Sequence, residues 1–297
     1  MSSLIPFVAF ALFFLGVWLI VHFALRDAFR LGAAAVRRFM ELLLRQRFLS
    51  SWYLAQRTRF ESARGYIPLL IILVVGILLT GLAGDAFLEL AENLRANNAG
   101  MLQFDHSVHD WVRSLYGQGS TRFFVTFTTI GSPITLGLLF VFVQIVLLAQ
   151  KKYRWAVYLL ITSAGGAALN LELKRFFARS RPELSVALRQ ASGFSFPSGH
   201  AMGSAVFFSA LAYLAVRSLK SWNTRSAVIA LAISIITAVS LSRVYLGVHW
   251  TSDIAAGVSA GMLWFGSTTI GYEAIRRIRR LHGRRMVSPA STEIPRT

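Results

Sequence analysis

Three short stretches of the chain carry residue types and spacings suited to phosphate chemistry. One is Ser242-Arg243-Val244-Tyr245-Leu246-Gly247-Val248-His249-Trp250-Thr251-Ser252-Asp253. His249 and Asp253 stand four apart, so they can meet on one helical face. A carboxylate there accepts the imidazole Nδ1–H and leaves Nε2 with a free lone pair, the pairing of a base with the group that orients it. An Asp near the head of an apolar helix is costly without a partner or a task. The plainer reading is a buried His–Asp pair that only pins two helices.

A second stretch is Pro197-Ser198-Gly199-His200, directly before an apolar run. Ser198 is the expected N-cap. Gly199 lets a ligand approach the backbone. The unpaired N–H groups and the dipole of a helix start form an anion site, and His200 in that first turn faces it. A lone His near a helix start also commonly serves structure alone. The third stretch is Lys174-Arg175-Phe176-Phe177-Ala178-Arg179-Ser180-Arg181-Pro182. Lys174 and Arg181 share a face if the helix continues through them. Together they offer a point charge and a planar fork for phosphate oxygens, and Pro182 then ends the helix. Taken singly, this is no more than a basic helix end.

The elements that must position these residues are membrane spans. Of the 297 residues 55% are hydrophobic, and the mean hydropathy is +0.55. Apolar runs long enough to cross a bilayer fall at about 4–25, 67–84, 131–149, 155–172, 199–216, 226–243 and 251–271. The first is read as a retained anchor, because Met1 to Phe7 carries no basic residue and no small-residue cleavage site follows. Cysteine is absent, which excludes disulfides and thiolate metal sites. Asp105, His106, His109 and Asp110 resemble a metal set by type but read better as a polar outer helix. His22, alone in the first span, is read as structural. Ala164-Gly165-Gly166-Ala167-Ala168 and Gly257-x3-Gly261 are read as close helix contacts.

The balance of 31 Lys and Arg to 13 Asp and Glu gives a net charge of +18. Nucleic-acid binding does not explain it, because the surplus sits in short segments between apolar runs, as membrane topology requires. Segment 26–66, the loop with Lys151, Lys152 and Arg154, the loop with Arg217, Lys220 and Arg225, and the basic tail all fall on one side, which is then cytoplasmic. This puts Met1 outside and the C-terminus inside. Phe29, Val36, Met40, Leu43 and Leu44 recur at roughly helical spacing among arginines, which suggests an amphipathic helix on the cytoplasmic surface. Two short helices are expected over 85–123. Lys174, Arg175, Arg179, Arg181 and Arg189 crowd into one outer loop against the topological trend, and an anionic ligand is the simplest reason. The three motif stretches converge at that same outer face.

Lys-x6-Arg-Pro, Pro-Ser-Gly-His and Ser-Arg-x5-His-x3-Asp, in this order, resemble the signature of the type 2 phosphatidic acid phosphatase superfamily, with every position filled and the likeness covering roughly 67–271. The resemblance implies that His249 is a nucleophile forming a phosphohistidine, that Asp253 orients it, and that His200 is the general acid. It implies that Lys174, Arg181 and Arg243, with the N–H groups of Ser198 and Gly199, hold the phosphate, without metal or cofactor. The expected fold is all-α: a polytopic transmembrane bundle with a six-helix phosphatase core over 67–285, preceded by a transmembrane anchor and amphipathic segment over 1–66 and followed by a disordered tail over 286–297.

The expected function is a lipid phosphatase in a bacterial inner membrane, multi-pass, with its site on the periplasmic side. Its partners are a lipid phosphate or diphosphate and the surrounding membrane lipids, not nucleic acid. Undecaprenyl diphosphate, phosphatidate, phosphatidylglycerophosphate and lipid A are candidate substrates, and phosphotransfer is an alternative to hydrolysis. Vanadium haloperoxidases share the phosphate-site signature, but the membrane spans argue against that class. A non-catalytic transporter or lipid-binding protein with a relic site is disfavoured by the intact nucleophile and acid.

Overall fold

The structure, a computed structural model, describes residues 5–45, 67–183 and 187–285. Every regular element among the described residues is an α-helix: α1 (Ile5–Arg45), α2 (Ile67–Arg95), α3 (Ala99–Ser114), α4 (Gln118–Ile130), α5 (Pro133–Ala149), α6 (Tyr153–Phe177), α7 (Gly199–Ser218), α8 (Trp222–Tyr245) and α9 (Thr251–Arg285). Six of these, α1, α2, α6, α7, α8 and α9, are long and apolar enough to cross a membrane alone. The pair α4–α5, bent by 48°, passes as one further span. The expected all-α polytopic bundle is therefore the observed fold.

Helix α7 lies at the centre, packed against α5, α6, α8 and α9, while α9 also lies along α2, and α1 lies along α8. Small residues let the axes approach. A Cβ on Gly257 would stand 2.8 Å from the Ser198 carbonyl oxygen and 3.1 Å from the Ala201 Cβ, and one on Gly165 would stand 2.4 Å from Trp264. These are the close contacts expected of both small-residue motifs. Outward-facing Leu78, Leu82, Ile134, Leu138 and Phe142 are well exposed. That surface is a liability in water and ordinary against lipid tails.

Helix α1 is fixed to α8 at one level and to α4 at another. Trp18 Nε1 donates to Ser226 Oγ at 3.1 Å, and buried His22 brings Nδ1 to 3.2 Å from the same oxygen. Further along, the Phe10 ring lies 4.6 Å from that of Phe127. His22 is structural, as its sequence context suggests. The start of α1 thus lies at the end of the bundle where α8 finishes.

Three boundaries differ from expectation. The segment after Ala24 is not a separate surface helix: α1 continues unbroken to Arg45. Residues 25–45 contain no Pro and one Gly amid Ala, Leu and Arg, so nothing local stops the helix when hydropathy falls. Residues 46–66 and the tail 286–297 lie outside the described residues. Helix α2 runs past 84 to Arg95, so the two short helices expected over 85–123 are α3 and α4. Helix α6 stops at Phe177, before Pro182, because Ala178 turns left-handed (φ 46°) and gives its N–H to the Lys174 carbonyl at 3.0 Å.

If the α7–α9 approach is as tight as these distances require, Gly257→Val should destabilise the detergent-solubilised protein by about 1–3 kcal/mol. Gly271→Val, in the same helix but with open space around its Cβ, should leave the unfolding midpoint unchanged. Equal midpoints for the two variants would disprove the tight contact.

Candidate active site

The C-terminal ends of α6 and α8 and the N-terminal ends of α7 and α9 meet at one end of the bundle, around a cavity of about 750 Å³. Lys174, Arg181, Arg189, Gly199, His200, Arg243 and His249 line it, with Leu136, Phe140, Val206 and Phe207 continuing its wall between α5, α6 and α7. Ala164, Ala167 and Leu171 of α6 and Gly137 of α5 line it as well and are exposed, so the cavity opens sideways between these helices.

His249 and Asp253 do meet, though not on a helical face. Helix α9 starts at Thr251, and His249 precedes it. Asp253 folds back over the helix start: its Oδ2 accepts the Trp250 N–H at 3.0 Å and lies 3.3 Å from His249 Nδ1. A carboxylate only accepts, so Nδ1 carries the proton and Nε2 the lone pair. On the other side Arg181 donates to that Nε2 at 3.0 Å. His249 is 2% exposed. Burial holds its pKa down at about 4, with Arg181 and Arg243 pushing the same way and Asp253 opposing.

The cations are held differently. Arg181, in the loop after α6, gives its remaining donors to the carbonyls of Val248, Gly193, Ser192 and Phe194. Lys174 Nζ reaches the Phe194 and Ser195 carbonyls at 2.7 and 3.3 Å. The two residues flank the cavity together, although the helix does not run through both. Arg243 donates NH1 to buried Thr128 at 2.6 Å, while its Nε is buried without an acceptor among the described residues. Arg243 also lines the cavity.

Ser198 occupies the N-cap position of α7, but its hydroxyl makes no capping bond and is buried unpartnered. Its N–H goes to the Asp253 carbonyl at 2.9 Å, so of the two N–H groups expected to hold phosphate, this one is engaged elsewhere. Gly199 makes room for protein as well as ligand, since a Cβ there would stand 3.0 Å from Asn170 Oδ1. His200 lines the cavity across from His249.

Residues not singled out from sequence complete the site. Arg179 is buried, giving NH1 to Asp253 Oδ1 at 2.7 Å and NH2 to Asp105 Oδ2 at 2.8 Å. Asp105 Oδ1 accepts the Ser252 N–H at 2.9 Å. Asp105 is thus neither part of a metal set nor an outer surface residue. His106 and His109 pack instead on the Trp250 ring. Thr128 and Asn170 were also missed. Only the wrong-side charge cluster hinted at Arg179 and Arg189.

Fold and site together define a multi-pass helical membrane protein with a cationic cavity built on a buried His–Asp pair. Residues 155–277 match the family model described as the PAP2 superfamily, so this part of the chain carries a PAP2 superfamily domain. Phosphatidylglycerophosphatase B of Bacillus subtilis (strain 168) is 37% identical over 112 residues, 37% of this chain and 55% of that protein. The putative undecaprenyl-diphosphatase YbjG of Escherichia coli (strain K12) is 40% identical over 88 residues, 30% of this chain and 40% of that protein. The chain thus aligns with about half the length of these curated relatives. The crystal structure of a transmembrane PAP2 type phosphatidylglycerolphosphate phosphatase from Bacillus subtilis superposes with a TM-score of 0.61 at 28% identity, covering 66% of this chain and 98% of that one.

The buried imidazole predicts a pH effect on stability that is separable from activity. An unfolded imidazole takes up its proton near pH 6.5 and the folded His249 only near 4, so the unfolded state binds more protons between those values. Stability therefore falls on acidification through that window, by on the order of 3 kcal/mol from this residue. His249→Gln should flatten the dependence of the unfolding midpoint on pH between 4.5 and 7. An unchanged slope would refute a buried neutral His249.

Proposed function

We propose that the protein is a lipid phosphatase that transfers the phosphate of a long-chain lipid phosphate or diphosphate first to His249 and then to water. The observation that carries this reading is the Nε2 lone pair of His249, facing a cavity lined by Lys174, Arg181 and Arg243. In the first step Nε2 bonds to phosphorus as the bond to the leaving oxygen breaks. Arg181 exchanges Nε2 for a phosphate oxygen as its acceptor. The open N–H groups of the first turn of α7 and the free donor of Arg243 take the other oxygens. His200 supplies the proton that the leaving oxygen needs. In the second step water attacks phosphorus, His200 takes the water's proton, and the P–N bond breaks to return His249. Fixed cations and a helix start supply the charge stabilisation of an in-line transfer, so the chemistry calls for no metal.

Residues 67–285 are the phosphatase core in this reading. The apolar wall beyond the cations, from Leu136 to Phe207, suits a hydrocarbon chain rather than a water-soluble ester. Lys151, Lys152 and Lys220 lie in the connections, and Arg154 and Arg225 in the first turns of α6 and α8, at the opposite end of the bundle from the cavity. The positive-inside rule makes that end cytoplasmic and the catalytic end outer, in a bacterial inner membrane the periplasmic one. The curated relatives' names point to phosphatidylglycerophosphate and undecaprenyl diphosphate as the substrates to try first.

Phosphate release from these two lipids by the purified protein tests the reading. His249→Ala should abolish release from both, EDTA should leave it intact, and vanadate should inhibit it as a transition-state mimic. Near-normal turnover by His249→Ala, or loss in EDTA restored by Mg2+, refutes the mechanism.

The two substrates also separate the histidines. A monoester expels an alkoxide, which needs a proton as the bond breaks, whereas a diphosphate expels a phosphate that leaves well without one. His200→Ala should therefore lower kcat more for the monoester, compared at saturating substrate with burst kinetics verifying that chemistry limits the rate. Equal losses on both would assign His200 to phosphate binding instead.

A further inference from the structure

Asp105 belongs to α3, outside the residues matched to the family model, yet it is one of the most deeply buried acids described, at 1% exposure. Each of its oxygens is used: Oδ1 takes the Ser252 N–H, and Oδ2 takes Arg179 NH2 and the Ser252 hydroxyl. Arg179 is shared in turn, with NH1 on Ser252 Oγ and Asp253 Oδ1, both at 2.7 Å. Its guanidinium also lies 5.7 Å from the centre of the Trp250 ring. One cation therefore serves two carboxylates, and the set carries one net negative charge next to His249.

That sharing has a chemical consequence. Were Arg179 paired with Asp253 alone, its charge would fall wholly on the carboxylate that accepts the His249 Nδ1–H, and a neutralised acceptor holds that proton more weakly. The imidazole gains positive character when Nε2 bonds to phosphorus, so a weakened acceptor is felt most in the transition state. The other charged or titratable groups around His249 do not supply the missing negative charge. Arg181 from the loop after α6 and Arg243 from α8 are cations, as is Lys174 of α6, and His200 of α7 lines the same cavity.

We propose that Asp105 is a positioning residue of this site: by dividing the charge of Arg179 between two carboxylates, it keeps Asp253 negative toward His249. Asp105 touches neither the cavity nor the reacting atoms and acts through Arg179 and Ser252. Helix α3 is anchored for this task, because Val112 packs with Val244, Leu246 and Val248 of the segment leading into His249. The proposal rests on His249 as the nucleophile, but its test has a readout that does not.

Asp105→Asn removes the charge and keeps one oxygen for the Ser252 amide. It should lower kcat/KM by roughly 10–100-fold, the range typical when a supporting hydrogen-bond partner is lost, chiefly through kcat. In labelled protein without substrate, the Nδ1–H proton resonance of His249 should move upfield as its hydrogen bond weakens. A strut with no electrostatic role would lower the unfolding midpoint and leave that resonance in place.

Asp105→Asn/Arg179→Gln restores one net negative charge, now on Asp253 alone. It should recover both the resonance and part of the activity relative to Asp105→Asn. A resonance unmoved in Asp105→Asn, or a double variant no better than the single, overturns the proposal. If His249→Ala were still active, the nucleophile assignment would fail, while the substrate-free resonance would still report whether Asp105 governs the Asp253–His249 bond.

Discussion

A single buried guanidinium, that of Arg179, holds the catalytic end of this bundle together. It joins Asp105 of α3 to Asp253 of α9 from a loop that follows α6, so three separate parts of the chain meet at one charge. Buried ions are tolerated only when paired and hydrogen-bonded, and loss of one partner strands the others. With Asp253 Oδ1 committed to Arg179, only Oδ2 remains for the Trp250 N–H and His249, and this decides which imidazole nitrogen carries the proton. The Asp253 carbonyl also accepts the Ser198 N–H, so the starts of α7 and α9 are fixed to each other.

The cations lining the cavity fall into two kinds. Arg181 is wholly occupied by carbonyls of 192–194, by Val248 and by His249, so it is rigid in advance and also organises the loop. Arg243 is held by Thr128 at one nitrogen and keeps a buried donor unsatisfied. In the proposed reaction the pre-positioned arginine exchanges one acceptor for a phosphate oxygen, while the under-bonded one gains hydrogen bonding.

Much of this was legible in the residues. The His249–Asp253 pairing and the bundle of spans follow from local spacing and hydropathy, and the grouping of Lys174, Arg181, Arg243 and His200 around one cavity is what the family resemblance implied. The misses are of two kinds. Where a boundary depended on backbone propensity rather than hydropathy, as in α1 beyond Ala24 and α2 beyond 84, the helix outran the apolar run. Where a role depended on a distant partner, spacing was mute. Nothing near Arg179 marks it as the buried member of five basic residues, because what holds it there is Asp105, 74 positions earlier. Asp105 itself, seen beside His106 and His109, read as part of a polar outer helix, since sequence shows neighbours along the chain and not across it.

The cavity's sideways opening between α5 and α6 separates the two reactants of the proposed hydrolysis. A lipid arriving there diffuses in the plane of the bilayer, and the quantity that sets its encounter rate is its mole fraction among lipids rather than a concentration in water. Water must come from the other direction, through the polar rim formed by the loop that carries Arg189, Gln190 and Ser192. Chemistry with one door facing oil and the other facing water discharges its products the same way: the dephosphorylated lipid back into the membrane, the phosphate out past the arginines.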